Sequence, residues 1–357
     1  MTHPHHAPSE VLRAALASLL DGLPTRAATR SVDRLIGHYR GRTPTGAPVL
    51  RDRSDVAAYA AYRMPATFEA MRAALGALAT ALPGWLPGSH LDIGGGTGAA
   101  VWAAGATWDG ERPVTVVDWA RPALDLGAEL AAAAPWPAVR GARWTQDRIG
   151  TGVGTDVGTG TAPTAGLVTI SYVLGELTEP DRAAVVDTAL AAIGTAPGGA
   201  VVVTEPGTPE GYARVLAARD RLLAAGLHVA APCPHDGRCP IEPGRDWCHF
   251  SARVARSSLH RQVKGGSLPY EDEKFAYVAA TRATPERVPT RVLRRPQIRK
   301  GQVILDLCEP DEALRRATVT KRQGPRYRAA RDIDWGDAWP PAEAAEDGED
   351  AGGGTED

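Results

Sequence analysis

The middle of the chain alternates between short apolar runs and longer stretches whose apolar residues recur every three or four positions. The short runs are rich in Val, Ile and Leu and predict strands at 90–93, 114–117, 167–170 and 200–204. The longer stretches predict helices at 122–133, 180–193 and 210–225. Strands and helices that alternate at this spacing predict a parallel sheet with crossover helices.

Before the first strand the pattern is helical. Apolar residues at positions 11, 12, 15, 16, 19 and 20 share one helix face, so a helix is predicted over 9–38. Ser54 can cap a second helix, which Pro65 should end or kink at Met64, and a third helix is predicted over 66–82. Residues 1–83 are therefore predicted to form a helical cap on the sheet.

The second half of the chain changes character. Residues 231–248 are irregular and rich in Pro and Cys, and two further strands are predicted at 274–280 and 302–307. A parallel sheet that ends in an antiparallel pair is the arrangement of the α/β, class I (Rossmann-like) S-adenosylmethionine-dependent methyltransferase fold. We expect its core at 84–230, with the Cys-rich segment inserted between the fifth helix and the sixth strand.

The remaining boundaries follow from composition. A Cys-rich, metal-binding insertion with a basic helix is predicted at 231–270, and the last strands with a basic extension at 271–339. Residues 150–166 form a Gly- and Thr-rich loop, and the acidic tail at 340–357 is predicted to be disordered.

Composition excludes several classes of protein. The chain has 357 residues, of which 43% are hydrophobic and 23% charged, as in globular proteins. No apolar run approaches the ~20 residues of a membrane span, and no charged start followed by an apolar block marks a secretion signal. We therefore expect a cytoplasmic protein without a membrane partner. Four cysteines exclude a disulfide-dense scaffold.

Charge is distributed unevenly along the chain. The net charge is only −2, but residues 251–331 carry 19 basic and 8 acidic side chains, and residues 332–357 carry 10 acidic and no basic ones. A dense basic block favours polyanions, because each phosphate that it neutralises releases condensed counterions. The alternative is an ordinary solvated surface.

A glycine-rich loop follows the first predicted strand and precedes a helix. The sequence Asp92-Ile-Gly-Gly-Gly-Thr-Gly lets a ligand approach backbone N–H groups at a helix N-terminus. Its spacing is tighter than the dinucleotide fingerprint, and the Gly-Lys-Ser/Thr of a P-loop is absent from it. The loop resembles the first motif of S-adenosylmethionine-dependent methyltransferases. This resemblance predicts a cofactor site at Asp92, Gly94, Gly95, Gly96, Gly98, Asp118, Asp147 and Ser171.

The acidic residues of this set have distinct expected roles. Asp92 would orient the loop or meet the methionine ammonium group, Asp118 would accept two hydrogen bonds from ribose hydroxyls, and Asp147 would contact the adenine amine. Methyl transfer to a base amine usually requires Asn/Asp-Pro-Pro-aromatic after the fourth strand. The chain has Ser171-Tyr-Val-Leu-Gly-Glu-Leu there, without a Pro pair, so no catalytic base is identified.

The four cysteines of the chain are candidate metal ligands: Cys233, Cys239, Cys248 and Cys308. Four thiolates hold one tetrahedral zinc ion or one iron–sulfur cubane. The spacing lacks the C-x2-C pairs of zinc ribbons, and from spacing alone zinc and cluster both remain open. The alternative is four free thiols in a reducing compartment.

The basic block contains candidate RNA-binding residues. Residues after Cys248 are predicted to form a helix that carries His249, Arg253, Arg256, His260 and Lys264 on one face. A second cluster comprises Lys321, Arg322, Arg326 and Arg328, with Tyr327 among them as a residue that can stack on a base.

Several of these motifs occur together, in order, with Thr204-Glu-Pro-Gly-Thr-Pro, Cys233-Pro-His-Asp-Gly-Arg-Cys-Pro and Trp247-Cys-His-Phe. Over about residues 30–337 the chain resembles a bacterial member of the methyltransferase-like family associated with the mitochondrial small ribosomal subunit. That resemblance implies bound S-adenosylmethionine, a [4Fe-4S] cluster on the four cysteines and a role in small-subunit assembly.

The preferred hypothesis is therefore a ribosome-associated factor that binds rRNA of the small subunit, with cofactor and cluster in largely structural roles and no DNA partner. The alternative is an active S-adenosylmethionine-dependent methyltransferase that acts on rRNA or a small molecule. A third interpretation is a redox or iron sensor in which loss of the cluster stops RNA binding.

Overall fold

The computed structural model describes residues 7–20, 53–148, 164–256 and 268–341. The predicted helix beyond residue 20, most of the Gly- and Thr-rich loop and nearly all of the acidic tail lie outside the described residues. None of the described helices is long and apolar enough to cross a membrane.

The core of the molecule is one mixed sheet of eight strands. Its strands are β1 (His90–Ile93), β2 (Val114–Asp118), β3 (Arg143–Gln146), β4 (Leu167–Ser171), β5 (Ala200–Pro206), β6 (His228–Ala231), β7 (Phe250–Ala255) and β8 (Tyr270–Thr281). Their order is β3-β2-β1-β4-β5-β8-β6, with β7 paired to β8. Strands β1 to β5 are parallel, and β8 runs antiparallel between β5 and β6. This order confirms the class I, Rossmann-like methyltransferase fold.

The helices are α1 (Pro8–Leu20), α2 (Arg53–Ala81), α3 (Ala99–Thr107), α4 (Arg121–Ala132), α5 (Pro137–Arg140), α6 (Glu179–Ile193), α7 (Pro209–Ala224) and α8 (Pro325–Asp332). The first two form the predicted cap: α1 packs on α2, and α2 packs on α3, β7 and β8.

The predicted break at Pro65 is wrong, because α2 continues through it. Proline removes one helical N–H and costs about 3 kcal/mol inside a helix. Met64, Phe68, Met71 and Leu75 are buried at alternating spacings of four and three residues across this point. Burial of such side chains contributes about 1.5–3 kcal/mol each, so packing outweighs the local preference.

The place of the Cys-rich segment also differs from the expectation. The sixth strand is β6, a four-residue strand of small side chains that the apolar pattern did not reveal. The Cys-rich segment therefore follows the sixth strand and connects it, through β7, to the antiparallel strand β8.

A second, separate sheet holds the C-terminal strands β9 (Arg291–Val292), β10 (Gln297–Arg299), β11 (Gln302–Cys308) and β12 (Leu314–Thr320). The expectation that 302–307 pairs with 274–280 is therefore wrong. Val303, Leu305 and Leu307 alternate on one face of β11 and pack on α8 and Trp339 as a core of their own. Alternation identifies a half-buried strand, but it leaves the partner strand unspecified.

Candidate functional site

The glycine loop lies where it was predicted, between β1 and α3. Gly94, Gly96 and Gly98 have φ values of 69°, 53° and 84°, in the left-handed region that favours glycine. A Cβ on Gly95 would lie 2.4 Å from Asp92 Oδ2, so the loop passes directly over that carboxylate. A Cβ on Gly96 would meet only Asp118 Oδ2, at 3.9 Å, and this part of the loop is open to a ligand.

Asp118 ends β2 and is tied to the loop. Its Oδ2 accepts a hydrogen bond of 2.9 Å from the Gly96 N–H, and its Oδ1 accepts one of 2.8 Å from the Ala120 N–H. Burial raises the pKa of Asp118, and these backbone N–H groups oppose that shift. The remaining lone pairs of the carboxylate stay available as acceptors.

Asp92 is fully buried beneath the loop. Its Oδ1 accepts a hydrogen bond of 2.7 Å from the Thr169 hydroxyl, which lies 2.7 Å from His90 Nε2. Its Oδ2 has no hydrogen-bond partner among the described residues. Burial raises the pKa of Asp92 to about 7 and lowers that of His90 to about 3. An ionised Asp92 therefore needs a donor or a cation that the described chain does not provide.

The other two predicted cofactor residues reach the same edge of the sheet. Asp147 follows β3, and its backbone N–H donates to the Asp118 carbonyl at 2.9 Å. Its side chain accepts a 2.7 Å bond from the Arg148 N–H. Ser171 is the buried last residue of β4. The structure thus brings the whole predicted cofactor set to the carboxyl ends of neighbouring parallel strands, where ligands of open α/β sheets bind.

Sequence reasoning missed a polar cluster beside this edge. Tyr172 has a φ of 58°, and its hydroxyl donates to Glu273 Oε1 at 3.0 Å. Arg63 of α2 binds the same carboxylate through two hydrogen bonds of 2.7 and 3.0 Å and lies 4.9 Å from the centre of the Tyr172 ring. Burial raises the pKa of Tyr172 well above its ordinary value. These residues are about a hundred positions apart in the chain, so no local pattern connects them.

The four cysteines line one pocket, together with Tyr212, Arg219, Tyr277 and Arg291. They come from four places: the second residue after β6, the following loop, the residue two before β7, and the last residue of β11. Burial raises the pKa of Cys233 and Cys248, and it raises that of Cys308 to about 12. Among the described residues, no group of three or more His, Cys, Asp or Glu side chains is arranged to hold a metal ion.

Two buried guanidinium groups face this cavity. Arg219 is 4% exposed, donates to the Gly237 carbonyl at 2.6 Å and leaves its Nε without a partner in the described chain. Arg291 is 8% exposed and donates to the carbonyls of Pro232 and Gly336 at 2.9 and 2.7 Å. Within the described ranges the only carboxylate paired with either is the exposed Asp220, 3.4 Å from Arg219.

Uncompensated buried charge costs several kcal/mol. Both arginines lower the pKa of Cys233 against the larger effect of burial. An anionic occupant of the cavity, such as thiolates on a metal centre, would offset the cost of burying these cations.

The β11–β12 hairpin fixes Cys308 against the Cys-rich loop. Glu312, at the hairpin tip, accepts a 2.9 Å hydrogen bond from the Arg238 N–H through Oε2. A Cβ on Gly237 would overlap the Glu312 carboxylate, so a larger residue there would displace that side chain from the loop. His235 Nε2 lies 3.5 Å from Cys308 Sγ.

The predicted basic helix after Cys248 is wrong, because residues 250–255 form β7. Phe250, Ala252 and Val254 are buried in strict alternation, and this two-residue period determines the structure rather than the spacing of the cations. Arg253 pairs with Asp272 at 3.2 Å, and Arg256 pairs with Glu271 at 3.0 Å. His260 and Lys264 lie outside the described residues.

The second predicted RNA cluster lies on α8 and the turn before it, with Lys321, Arg322, Arg326 and Arg328 exposed. Arg326 lies over the ring of Trp339, 5.5 Å from its centre. Tyr327 is partly buried and packs against the core of the second sheet, and its role in base stacking stays a prediction.

The chain is similar to proteins of the small ribosomal subunit. A family model described as Mitochondrial small ribosomal subunit Rsm22 matches residues 53–340. "Ribosome assembly protein METTL17, mitochondrial" of Homo sapiens is 29% identical over 305 residues, which are 79% of this chain and 62% of that protein. "Rsm22-cox11 tandem protein 2, mitochondrial" of Schizosaccharomyces pombe is 31% identical over 186 residues, 40% of this chain and 25% of that protein. The chain thus spans less than two thirds of either relative.

Among solved structures, an O-methyltransferase family protein from Burkholderia thailandensis has a TM-score of 0.42 and 14% identity, over 71% of this chain and 69% of that one. The strand order described above, rather than this similarity, identifies the fold. The family match covers most of the chain, including the glycine loop and all four cysteines, and the chain therefore belongs to the family Mitochondrial small ribosomal subunit Rsm22.

Proposed function

We propose that this protein is an assembly factor of the small ribosomal subunit that binds rRNA, S-adenosylmethionine and a [4Fe-4S] cluster. Family membership supports the ribosomal part, since the human relative is named a ribosome assembly protein. The structural observation that supports the proposal most directly is one pocket lined by all four cysteines and two buried arginines.

The glycine loop fits S-adenosylmethionine. Asp118 has free lone pairs beside the open Gly96, where a ribose can be held. Asp92 lies buried directly beneath the loop, which favours the first of its two expected roles, to orient the loop. Asp147 and Ser171 complete the edge of the proposed pocket.

The chemistry of its lining, four thiols beside two buried guanidinium groups, supports an anionic metal centre in the cysteine pocket. Cys233, Cys239, Cys248 and Cys308 would hold the cluster, and its net negative charge would offset the buried Arg219 and Arg291. A zinc ion on four thiolates is the alternative occupant, and the iron and sulfide content distinguishes the two. The cluster would crosslink β6, the Cys-rich loop and β11.

We further propose that the cofactor has a structural role. The position after β4, where an acceptor-binding motif is expected, holds Tyr172, and its hydroxyl is already bonded to Glu273. Arg63 uses both of its terminal nitrogens on the same carboxylate. These three groups satisfy one another and leave no free base for an incoming acceptor at that position.

Replacing Asp118 with Ala is expected to weaken S-adenosylmethionine binding. The variant loses two hydrogen bonds to ribose and the tie to Gly96, together worth about 2–4 kcal/mol, or about 30- to 1,000-fold in affinity. Calorimetry measures the affinity. Asp125→Ala, at an exposed carboxylate of α4, is the control and should bind normally. Unchanged affinity in the Asp118 variant would contradict the proposed site.

Replacing Asp92 with Asn is expected to remove a pH-dependent loss of stability. The folded pKa of about 7 lies above the unfolded value of about 3.9, so ionisation favours unfolding and stability falls as the pH rises between them. From about pH 5 to about pH 8 the variant should gain about 2–3 kcal/mol relative to wild type. Denaturant unfolding of the cofactor-free protein measures the gain. A difference independent of pH would contradict the buried, neutral state of Asp92.

Protein purified without oxygen is expected to contain iron and sulfide, and Cys308→Ser should lose both. Loss of one ligand opens a loop of about 60 residues between Cys248 and Cys308, so the variant should also unfold at lower denaturant. His235→Gln removes the nearby imidazole but none of the four thiols and is the matched control. Stoichiometric zinc without sulfide would overturn the cluster.

The whole proposal is tested by sedimentation with ribosomal subunits from the cells that produce the protein. The protein is expected to sediment with small subunits and not with large ones, and to form no S-adenosylhomocysteine in their presence. Turnover that depends on rRNA would favour the alternative, an active methyltransferase. Absence from the small-subunit fraction would contradict the proposed function.

A further inference from the structure

One end of the second sheet carries a concentration of positive charge. Strands β10 and β11 are joined by a two-residue turn, Lys300-Gly301, between the paired residues Arg299 and Gln302. The neighbouring strand β12 ends beside the same turn, where the Lys321 N–H donates to the Gly301 carbonyl at 2.8 Å. We call the four exposed cations at this end, Arg299, Lys300, Lys321 and Arg322, the cationic end.

These four cations have no acidic partner among the described residues. The one side-chain bond in the set links Arg299 to the neutral Gln297, at 3.1 Å. Two other exposed arginines of the second sheet are paired: Arg315 with Glu309 at 2.8 Å, and Arg316 with Asp306 at 2.7 Å. Arg295, Arg328 and Arg331 are exposed without an acidic partner among the described residues, but the cationic end groups four such side chains around one turn.

The geometry suits a phosphate backbone. Adjacent strands lie about 4.8 Å apart, so the turn and the end of β12 bring the backbones that carry these four side chains close together. Gly301 has a φ of 76°, which permits the tight turn that places Lys300 at the tip. Close like charges repel, and a polyanion relieves that repulsion while releasing its own counterions.

The surroundings favour contact with phosphates rather than bases. Tyr327 is partly buried against the core of the second sheet, and Arg326 lies over Trp339, so both already have packing partners. The Arg253 and Arg256 pair is neutralised by Asp272 and Glu271. Within the described ranges the cationic end is thus a group of four neighbouring cations uncompensated by carboxylates.

We propose that the cationic end is the surface that binds the phosphate backbone of small-subunit rRNA. This inference rests on the proposed function and specifies its RNA-binding surface. Recognition there is by charge and shape, because phosphate contacts position a protein without reading sequence. Binding through four cations gives a salt dependence with a slope of about −3 in log affinity against log salt.

The test compares two variants with the same change in net charge. The first replaces all four residues of the cationic end with Gln. The second, a matched control, replaces Arg245, Arg253, Arg315 and Arg316 with Gln; each is more than half exposed and paired with a carboxylate. The probe is small-subunit rRNA transcribed in vitro, and binding is measured over a salt series.

The first variant should bind at least about tenfold more weakly at low salt and lose most of the salt slope, whereas the control should bind nearly as wild type. S-adenosylmethionine affinity and thermal unfolding should be unchanged in both, which separates a lost surface from a lost fold. If RNA binding weakens equally in both variants, net charge alone explains the loss, and the proposal is overturned.

The same variants in subunit sedimentation distinguish the two levels of inference. If wild type and the first variant both sediment with small subunits and bind rRNA equally, the cationic end is not the RNA-binding surface, and the proposed function stands. If wild type sediments with the subunits but does not bind their protein-free rRNA, a ribosomal protein is the partner and the proposal is overturned. If wild type does neither, the proposed function itself fails.

Discussion

The packing of the C-terminal half of this molecule depends on two buried, positively charged side chains, Arg219 and Arg291. Arg219 holds the Cys-rich loop through the Gly237 carbonyl, and Arg291 joins Pro232, just after β6, to Gly336 near the end of the described chain. Among the described residues neither has a buried carboxylate partner, and desolvated cations are costly unless negative charge lies close by. The four cysteines line the same pocket, so parts of the insertion, the main sheet and the second sheet meet around these two cations.

Strand β8 connects this cavity to the proposed cofactor edge. Glu273 lies on β8 and accepts the Tyr172 hydroxyl at the end of β4, whereas Ala276 and Tyr277, a few residues later, line the cysteine cavity. The strand pairs with β7 at Glu273 and with β5 at Ala276 and Tyr277. The two sites therefore share one strand of the main sheet.

The sequence predicted the parts of the fold that rest on local patterns. Four apolar strands, the glycine loop and the nearness of Asp118 to Gly96 follow from short-range order, and the structure agrees. Prediction from the sequence failed where tertiary contacts determine the local structure. Packing of buried side chains keeps α2 helical past Pro65. Residues 250–255 form a strand because alternate side chains are buried, although their cations are spaced as on a helix face. Arg253 forms its ion pair with Asp272 on the neighbouring strand, and a count of charges along the sequence cannot detect such a pair.

Strand β11 has a mechanical consequence. Cys308 is its last residue, packed beside the Cys-rich loop, and Gln302, its first, adjoins the Lys300-Gly301 turn. At about 3.4 Å per residue the strand spans about 20 Å. β11 is hydrogen-bonded to β10 and β12, and an extended strand held in this way bends little over that length. A rotation of about 10° at Cys308 and Glu312 would therefore move the Lys300-Gly301 turn by several ångströms. The position of the turn thus depends on how firmly Cys308 and Glu312 are held.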